Sequence, residues 1–467
     1  MSTNNDDLQS ILKDIKVGDI VNVVLNNSSI ISGRLMPRYE SSERDHIIIK
    51  LANGYNIGIM LKKIKIITKV SSFSIETDEL PKKNLYNSSS LKSQHKNDND
   101  LSQISNLPKI ALISTGGTIA SKIDYRTGGV TSVLSAKDLY TSIPELSLYA
   151  SIDTEILFNE YSENIGPMQW HLIANKVIEK INSGNYDGII ISHGTDTMSY
   201  TAAALSFALQ DLPIPVIIVG AQRSSDRPSS DASSNLIASV IFATQLDYSG
   251  VFVAMHGSIS DKEIYCHIGT RVRKNHTSKR DAFKSIDISP IAVVQDDRVE
   301  IQKIPSNIIL HKNKNRNKIN KRFNIISKTK FDDRVFLLKY YPGFNPILIE
   351  NVQKLGYKVI IIEGTGLGHI NRNCFSYLKE AIASGMLVFM TSQCIWGRTN
   401  LNVYDTGRDL QKIGIIPLSN MLSETAMVKA MWLLANYNDL DYVRNKMQEN
   451  ISNEITYITP IVEDVIS

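Results

Sequence analysis

The sequence predicts an α/β protein with parallel sheets, preceded by a small N-terminal β-barrel. First, short apolar segments alternate with segments of helical apolar spacing from Lys109 onwards, which is typical of a mainly parallel sheet covered by helices. Second, residues 17–70 contain several short strands without intervening helices. Third, the length of 467 residues corresponds to about three domains of roughly 150 residues each.

We expect the β-barrel to occupy residues 1–75, either as a functional module or as a structural appendage. Its five predicted strands are VGDIVNVVL, SIISGRLMPRY, DHIIIKL, YNIGIML and IKIITKV. The pair Asn53-Gly54 lies between two of them and predicts a hairpin, because both residues tolerate positive φ. Residues 76–107 are rich in Ser, Asn and Lys. Such a composition cannot bury enough apolar surface to offset chain entropy, so we predict a flexible linker there.

The α/β pattern occupies residues 108–300 and resumes over residues 333–467, which predicts a large and a small domain. In the large domain the predicted elements are KIALIST, MQWHLIANKVIEKIN, GIIIS, TMSYTAAALSFAL, PVIIVGA, SSNLIASVIFAT and VFVAMH. In the small domain they are RVFLLKYY, PILIENVQKL, KVIIIEG, CFSYLKEAIAS, MLVFMTS and ETAMVKAMWLLAN. Between the domains, residues 301–332 contain the basic stretch HKNKNRNKINKR (311–322). We interpret it as a solvated linker, and contact with RNA phosphates is the alternative.

The composition excludes several classes of protein. Lys and Arg number 51 and Asp and Glu 47, a net charge of +4, which argues against a protein whose main task is wrapping nucleic acid. The three cysteines, Cys266, Cys374 and Cys394, are too few and too dispersed for a disulfide framework or a zinc knuckle. A run of about 18 apolar residues and a secretory signal are both missing from the sequence. We therefore expect a cytoplasmic location.

The segment Thr115-Gly116-Gly117-Thr118 directly follows the first predicted strand of the large domain. Loops at the carboxyl ends of parallel strands are where α/β proteins place their sites. Two glycines let a ligand approach the backbone closely, and a flanking threonine offers a hydroxyl nucleophile. The segment lacks the Gly-Lys-Ser/Thr ending of a phosphate-binding loop. A simple tight turn is the alternative interpretation.

Two further motifs carry groups suited to acid–base chemistry. His193-Gly194-Thr195-Asp196-Thr197-Met198 follows a second buried strand and places a hydroxyl beside a carboxylate. We favour a packing or hydrogen-bonding role for His193 over that of a catalytic base, and Asp196 is either a site carboxylate or a helix N-cap. The run RVRKNHT (271–277) contains a lysine that acts as a base when desolvation lowers its pKa. Alternatively, the run is a solvated basic surface.

The motifs TGGTIAS (115–121), HGTDTM (193–198), VIIVGAQR (216–223) and the Lys-Asn-His-Thr run together resemble the L-asparaginase family of amidohydrolases. This resemblance implies two asparaginase-type α/β domains with parallel sheets, and an active site between the large domain and a neighbouring subunit's C-terminal domain. The segments GRLMPRYE, DYRTGGV, YSENI and VYDTGRDLQKIGIIPL more narrowly resemble the family of archaeal glutamyl-tRNA(Gln) amidotransferase D subunits. Members of that family carry an N-terminal barrel that ordinary asparaginases lack.

The resemblance implies a double displacement at a side-chain amide, in which a threonine hydroxyl attacks the carbonyl, ammonia leaves and water hydrolyses the acyl-enzyme. Carried over by residue, Thr118 is the nucleophile and Tyr125 its activating residue. Thr195, Asp196 and Lys274 correspond to a second triad in which the lysine polarises the threonine. The implied substrate-binding residues are Ser162, Glu163, Gly117 and Asp196.

Two positions depart from the asparaginase pattern. Asn402-Val403-Tyr404-Asp405 stands where many asparaginases lend a glutamate to the neighbouring subunit's site. His369, in the loop Gly364–His369, stands where the family has an asparagine. Both changes fit a site for glutamine rather than asparagine, and the sequence leaves this preference open.

The resemblance further implies a glutaminase that passes ammonia to a partner subunit, GatE. The partner would hold ATP and Mg²⁺ and most of the tRNA and would convert Glu-tRNA(Gln) into Gln-tRNA(Gln), whereas this chain would bind no cofactor or metal. The implied assembly is a heterotetramer, a homodimer of this chain flanked by two partners. A free-standing cytoplasmic L-asparaginase with an accessory β-barrel is one alternative. A catalytically silent RNA-binding or scaffold protein is another.

Overall fold

We describe the fold from a computed structural model. The described residues are 15–16, 18–36, 45–51, 56–71, 107–117, 121–123, 130–132, 143–223, 230–260, 263–304, 308–313 and 328–457. The predicted Asn53-Gly54 turn, residues 76–106 of the predicted linker, and both Thr118 and Tyr125 lie outside the described residues.

The N-terminal unit is a five-stranded antiparallel sheet. Its strands are β1 (Ile20–Leu25), β2 (Ile30–Leu35), β3 (His46–Lys50), β4 (Asn56–Met60) and β5 (Ile64–Ser71). They are ordered β4-β3-β2-β1-β5. Alternate residues such as Val21, Val23, Ile47 and Ile49 are buried in a core that belongs to this unit, as the period of two in a strand requires. The predicted N-terminal β-domain is thus confirmed.

The large domain is built on a nine-stranded sheet. Its elements in chain order are β6 (Lys109–Ser114), β7 (Ser121–Ile123), β8 (Val130–Ser132), β9 (Ser151–Ile156), α1 (Pro167–Asn182), β10 (Gly188–Ser192), α2 (Met198–Ala208), β11 (Pro215–Val219), α3 (Ala232–Gln245), β12 (Tyr248–His256), β13 (Ile264–Ile268), β14 (Val272–Lys274), β15 (Phe283–Ser285), β16 (Ala292–Gln295), β17 (Arg298–Ile301) and β18 (His311–Lys312). The main path is β17-β16-β13-β12-β11-β10-β6-β9, and β18 pairs with β12. The hairpins β7–β8 and β14–β15 lie outside this sheet.

The five strands from β9 to β12 along this path are parallel to one another, and the remaining pairs are antiparallel. Every residue of β10 and β11 is buried, because helices cover both faces of the parallel part. His311 pairs with Ser249 and Lys312 with Tyr248. The beginning of the basic stretch that we interpreted as a linker therefore extends the sheet.

The small domain has a four-stranded parallel sheet. Its elements are β19 (Val335–Lys339), α4 (Ile347–Lys354), β20 (Val359–Gly364), α5 (Phe375–Ala383), β21 (Leu387–Ser392), α6 (Asp405–Lys412), β22 (Ile416–Pro417), α7 (Ser423–Asn436) and α8 (Leu440–Gln448). The strand order is β19-β20-β21-β22. The predicted α/β architecture is confirmed in both domains. Among the helices of the described residues, none is long and apolar enough to cross a membrane.

The two α/β domains share a hydrophobic core. Helix α7 of the small domain packs on α2 of the large domain, where the rings of Phe207 and Trp432 stack with centroids 5.9 Å apart. After α8 the chain returns to the large domain, and the Ser452 hydroxyl donates to the Ser206 carbonyl over 2.9 Å. This packing fixes the small domain against the C-terminal end of α2 in the large domain.

Candidate active site

Two glycine-containing loops meet at the carboxyl ends of the parallel neighbours β6 and β10. The Thr115 hydroxyl donates to the Ser192 carbonyl over 2.8 Å and links the two strand ends. Gly117 has a φ of +77°, and a Cβ there would lie 3.0 Å from the Gly194 nitrogen. Both the positive φ and the close approach therefore require glycine at this position. The described part of the loop, up to Gly117, lies directly against the segment that carries Thr195 and Asp196.

Lys274 joins Thr195 and Asp196. Its Nζ donates to Thr195 Oγ1 over 2.9 Å and to Asp196 Oδ1 over 2.7 Å. The Lys274 side chain is 11% exposed and that of Asp196 71% exposed. The lysine side chain is therefore largely buried although it belongs to a basic run, whereas the carboxylate faces solvent. Asp196 does not cap α2, which begins after Thr197 and has no side-chain cap.

This contact brings together residues 79 positions apart in the chain. A lysine ammonium that donates to a hydroxyl can polarise it, and with a carboxylate alongside the three groups can relay a proton. The exposed Asp196 carboxylate can also accept from the ammonium group of an amino acid. The arrangement suits amide chemistry on an amino-acid substrate.

Ser162 lies against the loop that carries Thr195 and Asp196. It is buried in a single 3-10 turn, Ser162–Asn164, that precedes α1, and Glu163 beside it is exposed. The Thr197 hydroxyl donates to the Ser162 carbonyl over 2.5 Å. A Cβ on Gly194 would lie 2.9 Å from the Ser162 Cβ. Thr197 is a positioning residue that the sequence interpretation missed, although its place inside the HGTDTM motif was the available signal.

His193 anchors the loop as a neutral side chain. Trp170 Nε1 donates to Thr201 Oγ1 over 3.0 Å, and that hydroxyl lies 2.8 Å from His193 Nε2. His193 Nδ1 lies 2.6 Å from the Gly194 carbonyl. Because a carbonyl only accepts, Nδ1 carries the proton and Thr201 donates to Nε2. Burial lowers the pKa of His193 to about 4, which fits the hydrogen-bonding role favoured from the sequence.

Acidification is expected to destabilise the protein through His193. Its pKa in the folded chain, about 4, lies below the usual 6.5, so the unfolded chain binds a proton first as pH falls. The stabilisation is complete above about pH 6.5 and declines towards pH 4, a loss of about 3 kcal/mol. Denaturant midpoints measured from pH 7 to pH 4 are expected to fall less steeply in His193→Gln. The exposed His311→Gln is the control, and equal slopes in all three proteins would contradict the assignment.

A buried network holds the loop after β11. The Asp231 carboxylate accepts from the backbone nitrogens of Gln222 and Arg223 over 3.0 Å and 2.8 Å. Asn235 Nδ2 donates to the Gly220 carbonyl over 2.9 Å and to Asp231 Oδ2 over 3.0 Å. The start of α3 thus fixes the loop next to the site. The sequence interpretation missed these two residues, because no local pattern links them to the GAQR segment.

His369 lies in the small domain at the end of β20, apart from the lysine–threonine–aspartate contact. Its ring packs edge-on against Tyr404 with centroids 5.2 Å apart, and its Nδ1 lies 3.4 Å from Thr406 Oγ1. Close by, Arg372 pairs with Asp405 over 2.7 Å. Among the described residues, no three His, Cys, Asp or Glu side chains are grouped so that they could hold a metal ion.

Three family models match successive parts of the chain. The GatD N-terminal domain matches residues 15–69, the N-terminal asparaginase domain residues 109–307, and the glutaminase/asparaginase C-terminal domain residues 334–447.

Curated relatives match over nearly the whole length. The chain is 43% identical over 444 residues to the D subunit of glutamyl-tRNA(Gln) amidotransferase from Sulfurisphaera tokodaii, covering 95% of this chain and 92% of the relative. It is 44% identical over 453 residues to the same subunit from Pyrococcus furiosus, covering 96% of each. Among solved structures, the thermostable L-asparaginase from Thermococcus kodakarensis matches with a TM-score of 0.64 and 32% identity, covering 74% of this chain and 99% of that one.

Proposed function

The chain belongs to the family of glutamyl-tRNA(Gln) amidotransferase D subunits, and on that premise we propose that it is the glutaminase subunit that supplies ammonia for converting Glu-tRNA(Gln) into Gln-tRNA(Gln). The observation that carries this proposal is the combination, in one chain, of the Lys274–Thr195–Asp196 contact with an N-terminal domain of the GatD type. The solved L-asparaginase covers 74% of this chain, so a free-standing asparaginase explains the α/β domains and leaves the N-terminal domain unexplained.

In the proposed reaction the Thr118 hydroxyl attacks the side-chain amide carbonyl of glutamine, and Tyr125 accepts the hydroxyl proton. The C–N bond breaks, and the leaving nitrogen takes up the proton that Tyr125 accepted and departs as ammonia. Water then cleaves the acyl-enzyme, which releases glutamate and restores the hydroxyl. Thr118 directly follows Gly117 in the sequence, and the close approach of Gly117 to Gly194 supports assigning Thr118 and Thr195 to the same reaction.

We propose that the second triad, Thr195, Asp196 and Lys274, binds the substrate and polarises the Thr195 hydroxyl. Lys274 holds the Thr195 hydroxyl polarised, and Asp196 accepts from the α-ammonium of glutamine through its exposed carboxylate. Ser162 and the backbone of Gly117 meet the α-carboxylate, with Glu163 beside them. Hydroxyl and N–H donors facing a carboxylate, and a carboxylate facing an ammonium, are the pairings that an amino-acid amide requires.

We propose an assembly in which two copies of this chain pair and each copy binds one GatE-type partner. The small domain exposes Trp396, Val403 and Tyr404, and Tyr161 is exposed beside Ser162. Large apolar side chains exposed close to a site are typical of an interface, which supports contact between the small domain of one copy and the site of the other. ATP, Mg²⁺ and most of the tRNA are assigned to the partner, no cofactor is assigned to this chain, and the reaction is placed in the cytoplasm.

Ammonia release from glutamine is expected to rise by about tenfold or more when the partner and Glu-tRNA(Gln) are both added. The assay compares glutamine with asparagine, and charged tRNA with uncharged tRNA(Gln), at fixed enzyme concentration. Equal glutamine turnover with and without the partner and charged tRNA would contradict the proposal. High asparagine turnover by the isolated chain would favour the free-standing asparaginase instead.

A further inference from the structure

The segment that leads into Lys274 is attached to the small domain. The Thr425 hydroxyl, in the first turn of α7, donates to the Thr270 carbonyl over 3.1 Å. The Thr270 hydroxyl in turn donates to the Ser452 carbonyl over 2.7 Å. Thr270 is therefore held by two parts of the chain that follow the large domain in sequence.

Arg271 is a fully buried connection between the domains. Its side chain is 0% exposed, and its Nη1 donates to the carbonyls of Asn420 and Glu454 over 2.8 Å and 3.0 Å. Its Nε donates to the Ile286 carbonyl over 3.0 Å, and its Nη2 to Asp287 Oδ2 over 3.3 Å. Burial lowers the pKa of Arg271 to about 10, and Asp287 opposes this shift. One guanidinium thus joins the β14–β15 hairpin to the small domain and the C-terminal segment.

Arg273, in β14, makes a second connection two residues further along the chain. Its Nε lies 3.4 Å from Glu424 Oε1 in the first turn of α7, and the two side chains are 36% and 6% exposed. Burial raises the pKa of Glu424, and the charge of Arg273 opposes the shift. Successive residues of a strand point to opposite faces. Arg273 accordingly reaches the small domain, as Arg271 does from just before the strand, whereas Lys274 reaches Thr195 and Asp196 in the large domain.

We propose that Arg271 and Arg273 are positioning residues, which anchor β14 to the small domain and so hold the Lys274 ammonium within hydrogen-bond distance of Thr195 and Asp196. The inference rests on the proposed function only in taking Lys274 as a catalytic group. A catalytic group misplaced by about 1 Å loses on the order of 100-fold in rate. The small domain therefore controls the geometry of a site that lies on the large domain.

The Arg273–Glu424 pair offers the cleaner test, because Arg273 is partly exposed and its variants are expected to fold. Arg273→Gln, Glu424→Gln and the double variant are compared with Arg444→Gln, which breaks the exposed Arg444–Asp441 pair on α8. Each variant is assayed as the full chain below its melting temperature. Glutamine hydrolysis is measured with the partner and Glu-tRNA(Gln) present, and asparagine hydrolysis is measured with the chain alone. We expect kcat to fall by about fivefold to tenfold in each single variant, with KM unchanged within about twofold.

The double variant is expected to lose no more than either single variant, because all three lack the same ion pair. Unchanged kcat in both single variants, a rise in KM alone, or losses that multiply in the double variant would each overturn the proposal. If the unsubstituted protein hydrolyses asparagine but not glutamine, the proposed function fails. The asparagine data then still test whether Arg273 and Glu424 position Lys274. If the parent hydrolyses neither amide, both are overturned.

Discussion

Replacing Lys274 with methionine is expected to lower kcat for glutamine hydrolysis by about 10²- to 10⁴-fold, the range for loss of a positioned acid–base group. Lys274 Nζ is the donor that reaches both Thr195 Oγ1 and Asp196 Oδ1. Methionine keeps the length and the apolar stem of the side chain but cannot donate. The threonine hydroxyl then loses its polarising charge, and the Asp196 carboxylate loses the cation beside it.

The measurement is steady-state ammonia release at saturating glutamine with the partner and Glu-tRNA(Gln) present. The matched control is Lys284→Met, since Lys284 lies opposite Arg273 in the same hairpin and pairs with Asp281 over 3.2 Å. We expect the control to retain kcat within about twofold, because a partly exposed ion pair contributes little. A kcat for the Lys274 variant within about tenfold of that of the unsubstituted protein, or an equal loss of kcat in the control, would remove Lys274 from the proposed mechanism.

The central parallel strands of the α/β domains, and the helices between them, were predictable because the burial of each of these elements depends on its own pattern. The segments GIIIS and PVIIV read as strands buried on both faces, and both are fully buried. Helix α8 (LDYVRNKMQ) was not predicted, since only Val443 and Met447 in it are buried. Its place in the fold depends on packing against α7, which no local pattern records.

The candidate site was predictable only as far as its motifs carried a family resemblance. Nothing in the local sequence indicates that Lys274 meets Thr195, because the two lie on separate elements. The burial of Arg271 could not be predicted either, since a basic run such as RVRKNHT is more often a solvated surface. Its partners Asp287, Asn420 and Glu454 come from distant parts of the chain and become visible only in the folded structure.

We expect the largest loss of stability from breaking a buried ion pair between α7 and the C-terminal segment. Lys429 and Glu454 are both 0% exposed, and Lys429 Nζ donates to Glu454 Oε1 over 2.5 Å. The ammonium also donates to the carbonyls of Met447 and Glu449. Burial lowers the pKa of Lys429, and Glu454 opposes this shift. Removing the lysine therefore leaves a carboxylate in a buried site without its counter-charge.

Lys429→Met is accordingly expected to lower the free energy of unfolding by about 3–5 kcal/mol, measured as a shift in the denaturant midpoint. The control Lys446→Met removes an exposed pair with Glu449 and is expected to cost less than about 1 kcal/mol. The double variant Lys429→Met/Glu454→Leu is expected to recover at least about half of the loss, because no buried charge remains. A double variant as unstable as the single would show that packing around Lys429, or the hydrogen bonds that the Glu454 carboxylate accepts from the backbone of Ile451 and Ser452, sets the cost rather than the unpaired charge. Since the Glu454 carbonyl also accepts from Arg271, the pair supports the segment that holds β14 and, through it, Lys274.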